Sequence, residues 1–294
     1  MRHLKDIVFL SGSSHKALGQ EVAKHLKVSE GKIQIETFPD EEIGVHVLEN
    51  VRGRDVFVLQ TIARRPNHYL MELLITLDAL KRASARSITV VLPYMGYSRQ
   101  DRMEKEGAPI TAKLVANLLE TAGASRILTL DLHTDQIQGF FDIPVVHLSA
   151  CKLLVEKVRK EKLGHPYVMS PDIGRVKLAK AFAEELGCDF GVIDKERVSA
   201  HRVEKGAVLG RPEGKNVILV DDIYSTGKTL HMAAKTCLDL GAKSVSAAVV
   251  HMVGSAVHEE SAVDKLWVTD SVPQTTEMEV VSIAPLIAKA ISSI

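Results

Sequence analysis

Short apolar runs rich in valine, isoleucine and leucine alternate with stretches of helical periodicity along nearly the whole 294-residue chain. Strand-like runs fall at 7–10, 56–60, 88–92, 127–130, 167–169, 217–220, 245–250 and 266–268. Helical patterns lie between them, for example at 70–83, 111–121, 176–186 and 229–240. A strand that reads as an unbroken apolar run is buried on both faces, and parallel strands need a long crossover to reach one another. The alternation therefore predicts an α/β chain of mainly parallel sheets flanked by helices.

The pattern also repeats. Shifted by about 160 residues, 8–10 falls on 168–170, 56–60 on 217–221 and 87–91 on 244–248. This predicts two α/β units of one topology, related by internal duplication. The boundary should fall near 144–150, giving domains over 1–147 and 148–294. The copies differ after the second strand run, where the first has Gln60-Thr61-Ile62-Ala63-Arg64-Arg65-Pro66 and the second has two carboxylates.

Composition narrows the class. A hydrophobic share of 46% with 25% charged residues is enough to fill the cores of two ordinary domains. Lys plus Arg and Asp plus Glu both total 37, so zero net charge argues against general binding to nucleic acid or to an anionic membrane. Cys151, Cys188 and Cys237 are far apart and odd in number, the pattern of core residues in a reducing compartment. Asp6 interrupts the apolar stretch at the N-terminus, and no run approaches the length of a membrane span. The expected location is the cytoplasm.

Residues 217–229 carry the most chemistry, reading Val-Ile-Leu-Val-Asp-Asp-Ile-Tyr-Ser-Thr-Gly-Lys-Thr. Four apolar residues make a buried strand, and Asp221 and Asp222 are expected where it ends. Ser225, Thr226, Gly227, Lys228 and Thr229 then form a loop of small donors that opens a helix. Successive backbone N–H groups at a helix N-terminus make an anion site, commonly for phosphate. A Walker A reading fails, because that motif needs glycine at position 222, where Asp222 stands. A carboxylate pair repels polyphosphate but suits sugar hydroxyls or a metal ion, so the stretch predicts a phosphorylated sugar as ligand.

Ligands of open α/β sheets bind beyond the carboxyl ends of the strands, and other polar groups fall at such ends. His133 follows the run at 127–130 and Asp172 the run at 167–169. Imidazole with carboxylates can hold Mg²⁺, although a lone histidine after a strand is more often a hydrogen-bonded structural residue. Lys195 and Arg197 sit two apart on an extended backbone and so face one side, as two cations converging on a transferring phosphate would. Arg99-Gln100-Asp101-Arg102 offers guanidinium forks that suit phosphate and stack on adenine, or else a solvated loop. Phe38-Pro39-Asp40-Glu41-Glu42 reads as an acidic turn, and Met71-Glu72-Leu73-Leu74-Ile75 as core or subunit interface. The charged stretch 198–216, broken by Gly206, Gly210, Pro212 and Gly214, reads as a functional loop or lid.

Longer segments add to these: Val51-Arg52-Gly53, LMELLITLDALKRASA at 70–85, PYMGYSRQDR at 93–102, PITAKLVANLLET at 109–121, QIQGFFDIP at 136–144 and Pro171-Asp172-Ile173-Gly174. Together they resemble the ribose-phosphate pyrophosphokinase family through nearly the whole chain. The Asp-Asp loop alone indicates only the wider phosphoribosyltransferase group.

The resemblance implies two phosphoribosyltransferase-type domains. It also implies transfer of the β,γ-diphosphoryl group of ATP to O1 of ribose 5-phosphate, with Mg²⁺ as cofactor, in the service of nucleotide biosynthesis. The first domain would contribute to ATP binding and to subunit contacts; the second would carry the ribose 5-phosphate site and the catalytic loop. Phe38, Asp40 and Glu42, with Glu41 among them, would meet the adenine from a neighbouring subunit, and Arg99 and Gln100 would contact ATP. His133 and Asp172 would hold Mg²⁺. Lys195 and Arg197 would be the catalytic pair, Arg197 also touching ribose 5-phosphate. Asp221 and Asp222 would take the ribose hydroxyls, and Ser225, Thr226, Gly227, Lys228 and Thr229 the 5-phosphate. The expected assembly is a homo-oligomer, a dimer or a hexamer built from dimers.

Four positions depart from the family pattern. Glu41 and Arg175 replace glycines, Ser225 replaces an aspartate and Lys228 a small residue. Two other readings compete. A phosphoribosyltransferase that consumes the product would not need a duplicated domain, Arg99-Gln100 or the Lys195–Arg197 pair. A non-catalytic regulatory relative predicts loss of that pair, which is intact.

Overall fold

The computed structural model describes residues 7–194, 208–254, 261–274 and 278–294. Contacts divide the chain into two units, one of 1–149, 271–273 and 282–294, the other of 150–270 and 274–281.

The first unit runs β1 (Ile7–Ser11), α1 (Lys16–Leu26), β2 (Ile33–Thr37), β3 (Ile43–Val47), β4 (Asp55–Leu59), α2 (Pro66–Arg82), β5 (Ser87–Leu92), α3 (Thr111–Ala122), β6 (Arg126–Leu130) and β7 (Val145–Leu148). Strands β1, β4, β5, β6 and β7 pair in that order, each pair parallel. Every residue of β4 is buried, as expected of a strand covered on both faces. Its core includes Leu10, Val58, Val90 and Leu92 from the sheet with Leu73, Leu77 and Leu119 from the helices. Strands β2 and β3 form a separate antiparallel hairpin. They are short and half-exposed, so they lack the apolar run that marks the other strands.

The second unit runs α4 (Cys151–Lys160), β8 (Pro166–Ser170), α5 (Val176–Leu186), β9 (Phe190–Ile193), β10 (Val208–Leu209), β11 (Asn216–Tyr224), α6 (Lys228–Asp239), β12 (Ser244–Met252), β13 (Lys265–Thr269) and β14 (Glu279–Val281). Its sheet order is β10-β9-β8-β11-β12-β13-β14, and only β10 with β9 is antiparallel. The series β8-β11-β12-β13-β14 repeats β1-β4-β5-β6-β7 in order and direction. That correspondence supports the internal duplication.

Two expectations need correction. The last helix, α7 (Ala284–Ser293), buries Ala284, Ile287, Ala288 and Ile291 and packs on α1. It therefore belongs with the first unit, and the second does not run from 148 to the end of the chain. The stretch 198–216 is also not one irregular loop. Val208 and Leu209 pair back onto Ile193 and Val192, and Gly191 leaves room for Leu209 O and the Tyr167 hydroxyl, which a side chain there would strike. Residues 198–207 of that stretch lie outside the described residues. Among the described residues no helix is long and apolar enough to cross a membrane.

Candidate active site

Strand β11 is longer than its apolar run suggests. It pairs with β8 only from Asn216 to Leu219 but follows β12 as far as Tyr224 opposite Met252. Asp221 and Asp222 thus do not mark the end of the strand; they lie within it, just past the end of its pairing with β8. Both are buried, and the Asp222 N–H donates to Asp221 Oδ1 at 2.9 Å. Burial pushes the Asp221 carboxyl well above the usual carboxylate range, and the neighbouring charges of Asp222 and Asp172 push the same way, while Arg175 opposes them. Arg175 closes a short 3₁₀ turn, Ile173–Arg175, after β8. Its Nη1 lies 3.2 Å from Asp222 Oδ2 and its Nε 3.9 Å from Asp221 Oδ1.

The loop after Tyr224 leads directly into α6. Gly227 caps that helix at φ 76°, a left-handed conformation that glycine adopts without strain. The start of a helix carries N–H groups with no intrahelical carbonyl to meet, the kind of donor that an anion site uses. The end of β12 grips this loop. Val253 N and Gly254 N both donate to Tyr224 O, at 2.9 and 3.2 Å. A Cβ on Gly254 would fall 1.9 Å from Ser225 O, so only glycine permits this approach. Neither Arg175 on the acidic pair nor Gly254 under the loop was legible as a site residue. The one available signal was Arg175 standing in place of a glycine.

In the first unit, Gln60 and Thr61 stand where Asp221 and Asp222 stand in the second. They are tied into protein. Gln60 Nε2 donates to Glu72 Oε1 (2.9 Å), the Ser14 hydroxyl donates to Gln60 Oε1 (2.7 Å), and the Thr61 hydroxyl donates to Ser271 O (2.7 Å). Glu72, fully buried, also accepts Ser13 N at 2.7 Å. At this position the first copy is occupied by hydrogen bonds between its own side chains. Glu72 and Leu73 are core, while Met71 is exposed.

Other candidates of the first unit cluster by motif. Gln100 Oε1 accepts the Thr111 hydroxyl at 2.5 Å, and Asp101 Oδ2 accepts the Thr134 hydroxyl at 2.6 Å. The segments after β5 and β6, which carry Arg99 and His133, are therefore joined. His147 Nε2 accepts Leu132 N at 2.9 Å, steadying the residue before His133, and burial lowers the His147 pKa. Phe38, Asp40, Glu41 and Glu42 form the tip of the β2–β3 hairpin. Phe38 N bonds Glu42 O at 2.8 Å, and Phe38 is 44% exposed. Glu41 holds φ 71°, the conformation for which a glycine would be suited. His133 belongs to the first unit and Asp172 to the second. Lys195 and Arg197 lie outside the described residues.

Residues 7–123 match the N-terminal domain of ribose phosphate pyrophosphokinase, and residues 145–283 match the phosphoribosyl transferase domain. The chain is 45% identical to the ribose-phosphate pyrophosphokinase of Aquifex aeolicus over 99% of its own length and 96% of that protein's. It is 44% identical to that of Bacillus caldolyticus, over 96% and 92% of the two chains. The chain belongs to the ribose-phosphate pyrophosphokinase family. As a member it is an enzyme with two phosphoribosyltransferase-type domains. The crystal structure of phosphoribosylpyrophosphate synthetase from Mycobacterium smegmatis superposes with a TM-score of 0.91 at 40% identity, covering 98% of both chains.

Proposed function

We propose that this chain transfers the β,γ-diphosphoryl group of ATP to O1 of ribose 5-phosphate, giving phosphoribosyl pyrophosphate and AMP for nucleotide biosynthesis in the cytoplasm. The observation that carries this reading is the buried Asp221–Asp222 pair on β11, followed at once by a phosphate-type loop at the start of α6, in a chain that matches a family member over 99% of its length. The acidic pair accepts hydrogen bonds from ribose hydroxyls. Ser225, Thr226, Gly227, Lys228 and Thr229 take the 5-phosphate, and Lys228 adds a cation at the first position of the helix. Holding the sugar at both ends leaves O1 as the free nucleophile, and positioning of this kind is worth more to phosphoryl transfer than covalent help.

Arg99, Gln100 and the hairpin tip at Phe38, Asp40, Glu41 and Glu42 form the ATP side, the tip serving a neighbouring subunit. The exposed apolar row Ile110, Leu114 and Leu118 on and before α3 supports self-association. His133 and Asp172 are the residues for Mg²⁺. An ion that keeps several waters needs only one or two protein ligands. Bound Mg²⁺ would supply charge to the phosphate oxygens.

The test follows AMP release from ATP, Mg²⁺ and ribose 5-phosphate. No AMP from folded protein at any phosphate concentration would sink the reading. Lys195→Ala should lower kcat by about 10²–10³-fold while ATP binding persists; unchanged turnover removes Lys195 from the mechanism.

A further inference from the structure

The reading of Asp221 and Asp222 as the sugar site leaves Arg175 without a role. Its guanidinium reaches from the turn after β8 to both carboxylates on β11. The Arg175 side chain is 16% exposed and those of Asp221 and Asp222 are 9% and 7% exposed, so all three charges are largely withdrawn from water. Two adjacent carboxylates in that setting repel each other, and a cation 3.2 Å away offsets the repulsion. The turn that presents the arginine is itself fixed. Arg175 N donates to Asp172 O at 3.3 Å, and the Ser170 hydroxyl donates to the same oxygen at 2.6 Å. A planar fork can serve two acceptors at once, which a lysine ammonium on a flexible stem does less well. Each carboxylate has about four lone-pair sites, so an arginine on one edge leaves others for sugar hydroxyls.

We infer that Arg175 is a positioning residue of the sugar site, holding the Asp221 and Asp222 carboxylates in place and remaining on them while the hydroxyls of the sugar phosphate bind. It thereby sets the affinity for that substrate. The inference rests on the acidic pair being the sugar site.

The test compares Arg175→Met, which keeps the stem and removes the charge, with Arg175→Lys in the full chain. Ribose 5-phosphate is varied at saturating ATP and Mg²⁺, and its binding alone is measured by calorimetry. Loss of one partner from a buried charge pair should raise both KM and Kd for ribose 5-phosphate about tenfold or more in the methionine variant. The KM for ATP should stay within about twofold, and lysine should recover part of the loss. A merely structural role would disturb both substrates alike. Unchanged or lower sugar KM and Kd in folded Arg175→Met overturns the inference. Should that variant not fold, Arg175→Lys decides: a sugar Kd equal to the wild type's overturns it. Failure of the proposed reaction is read separately, as absence of AMP from the wild type.

Discussion

Replacing Gly254 by alanine tests whether the grip of the β12 end on the loop proposed to take the 5-phosphate matters to substrate binding. The added Cβ would fall 1.9 Å from Ser225 O and 3.0 Å from the carbonyl carbon. Ordinary carbon–oxygen contact begins more than about 1 Å further out, so the two backbones must separate by roughly that much. No side chain can swing aside, because the obstacle is main chain. Hydrogen bonds from Val253 and Gly254 to Tyr224 O resist the separation. Overpacking of this kind costs about 1–3 kcal/mol, and a reacting group displaced by about 1 Å loses on the order of 10²-fold in rate. The expected result is a fall of about 10²-fold in kcat/KM for ribose 5-phosphate. It should appear in both kcat and the KM for ribose 5-phosphate, with the KM for ATP nearly unchanged and a Tm lower by a few degrees. Gly164→Ala, which meets nothing within 4 Å, is the control from the same unit. If Gly254→Ala binds ribose 5-phosphate within about threefold of the wild type, the loop is not held by this contact and the reasoning fails.

Further predictions follow from single contacts. A carboxyl whose value is raised in the folded state binds a proton on folding, so its stabilisation is present below its unfolded value and is lost as pH rises through the folded one. Asp221 has that sign, so Asp221→Asn should abolish turnover yet raise stability at neutral pH by about 1–2 kcal/mol. The gain should shrink on acidification; a lower midpoint at neutral pH in denaturant titrations would contradict it. Glu72→Ala strands Ser13 N and leaves Gln60 Nε2 with Tyr69 O alone, and should cost about 2–4 kcal/mol by chemical denaturation. A loss under about 0.5 kcal/mol would deny the network a structural role. Glu41→Gly relieves a left-handed glutamate at φ 71° and should gain up to about 1 kcal/mol; a clear loss of stability would show that the side chain holds the turn.

Much of this molecule was legible in local pattern. Parallel strands buried on both faces leave continuous apolar runs, so β1, β4, β5, β6, β8 and β12 could be read within a residue or two of their observed ends. The hairpin β2–β3 could not, because exposed edges leave no such run. The end of β11 leaves no trace of its own for a related reason. Two adjacent aspartates look like the close of a strand, yet pairing with β12 carries the strand on to Tyr224, and a backbone ladder is indifferent to side-chain charge.

The chemistry of the site divides in the same way. Residue type and spacing alone determined the duplicated α/β plan, the adjacent acidic pair and the turn of small residues that opens α6, since each follows from local periodicity or from residues close together in the chain. Contacts between distant residues decided the rest. Tertiary structure brought Arg175 onto Asp221 and Asp222, set Gly254 beneath Ser225, closed the first copy with Glu72 on Gln60, and sent α7 back to α1. Burial leaves a periodic trace in the sequence that says a side chain is covered; which distant group covers it depends on how the strands are ordered in the sheet.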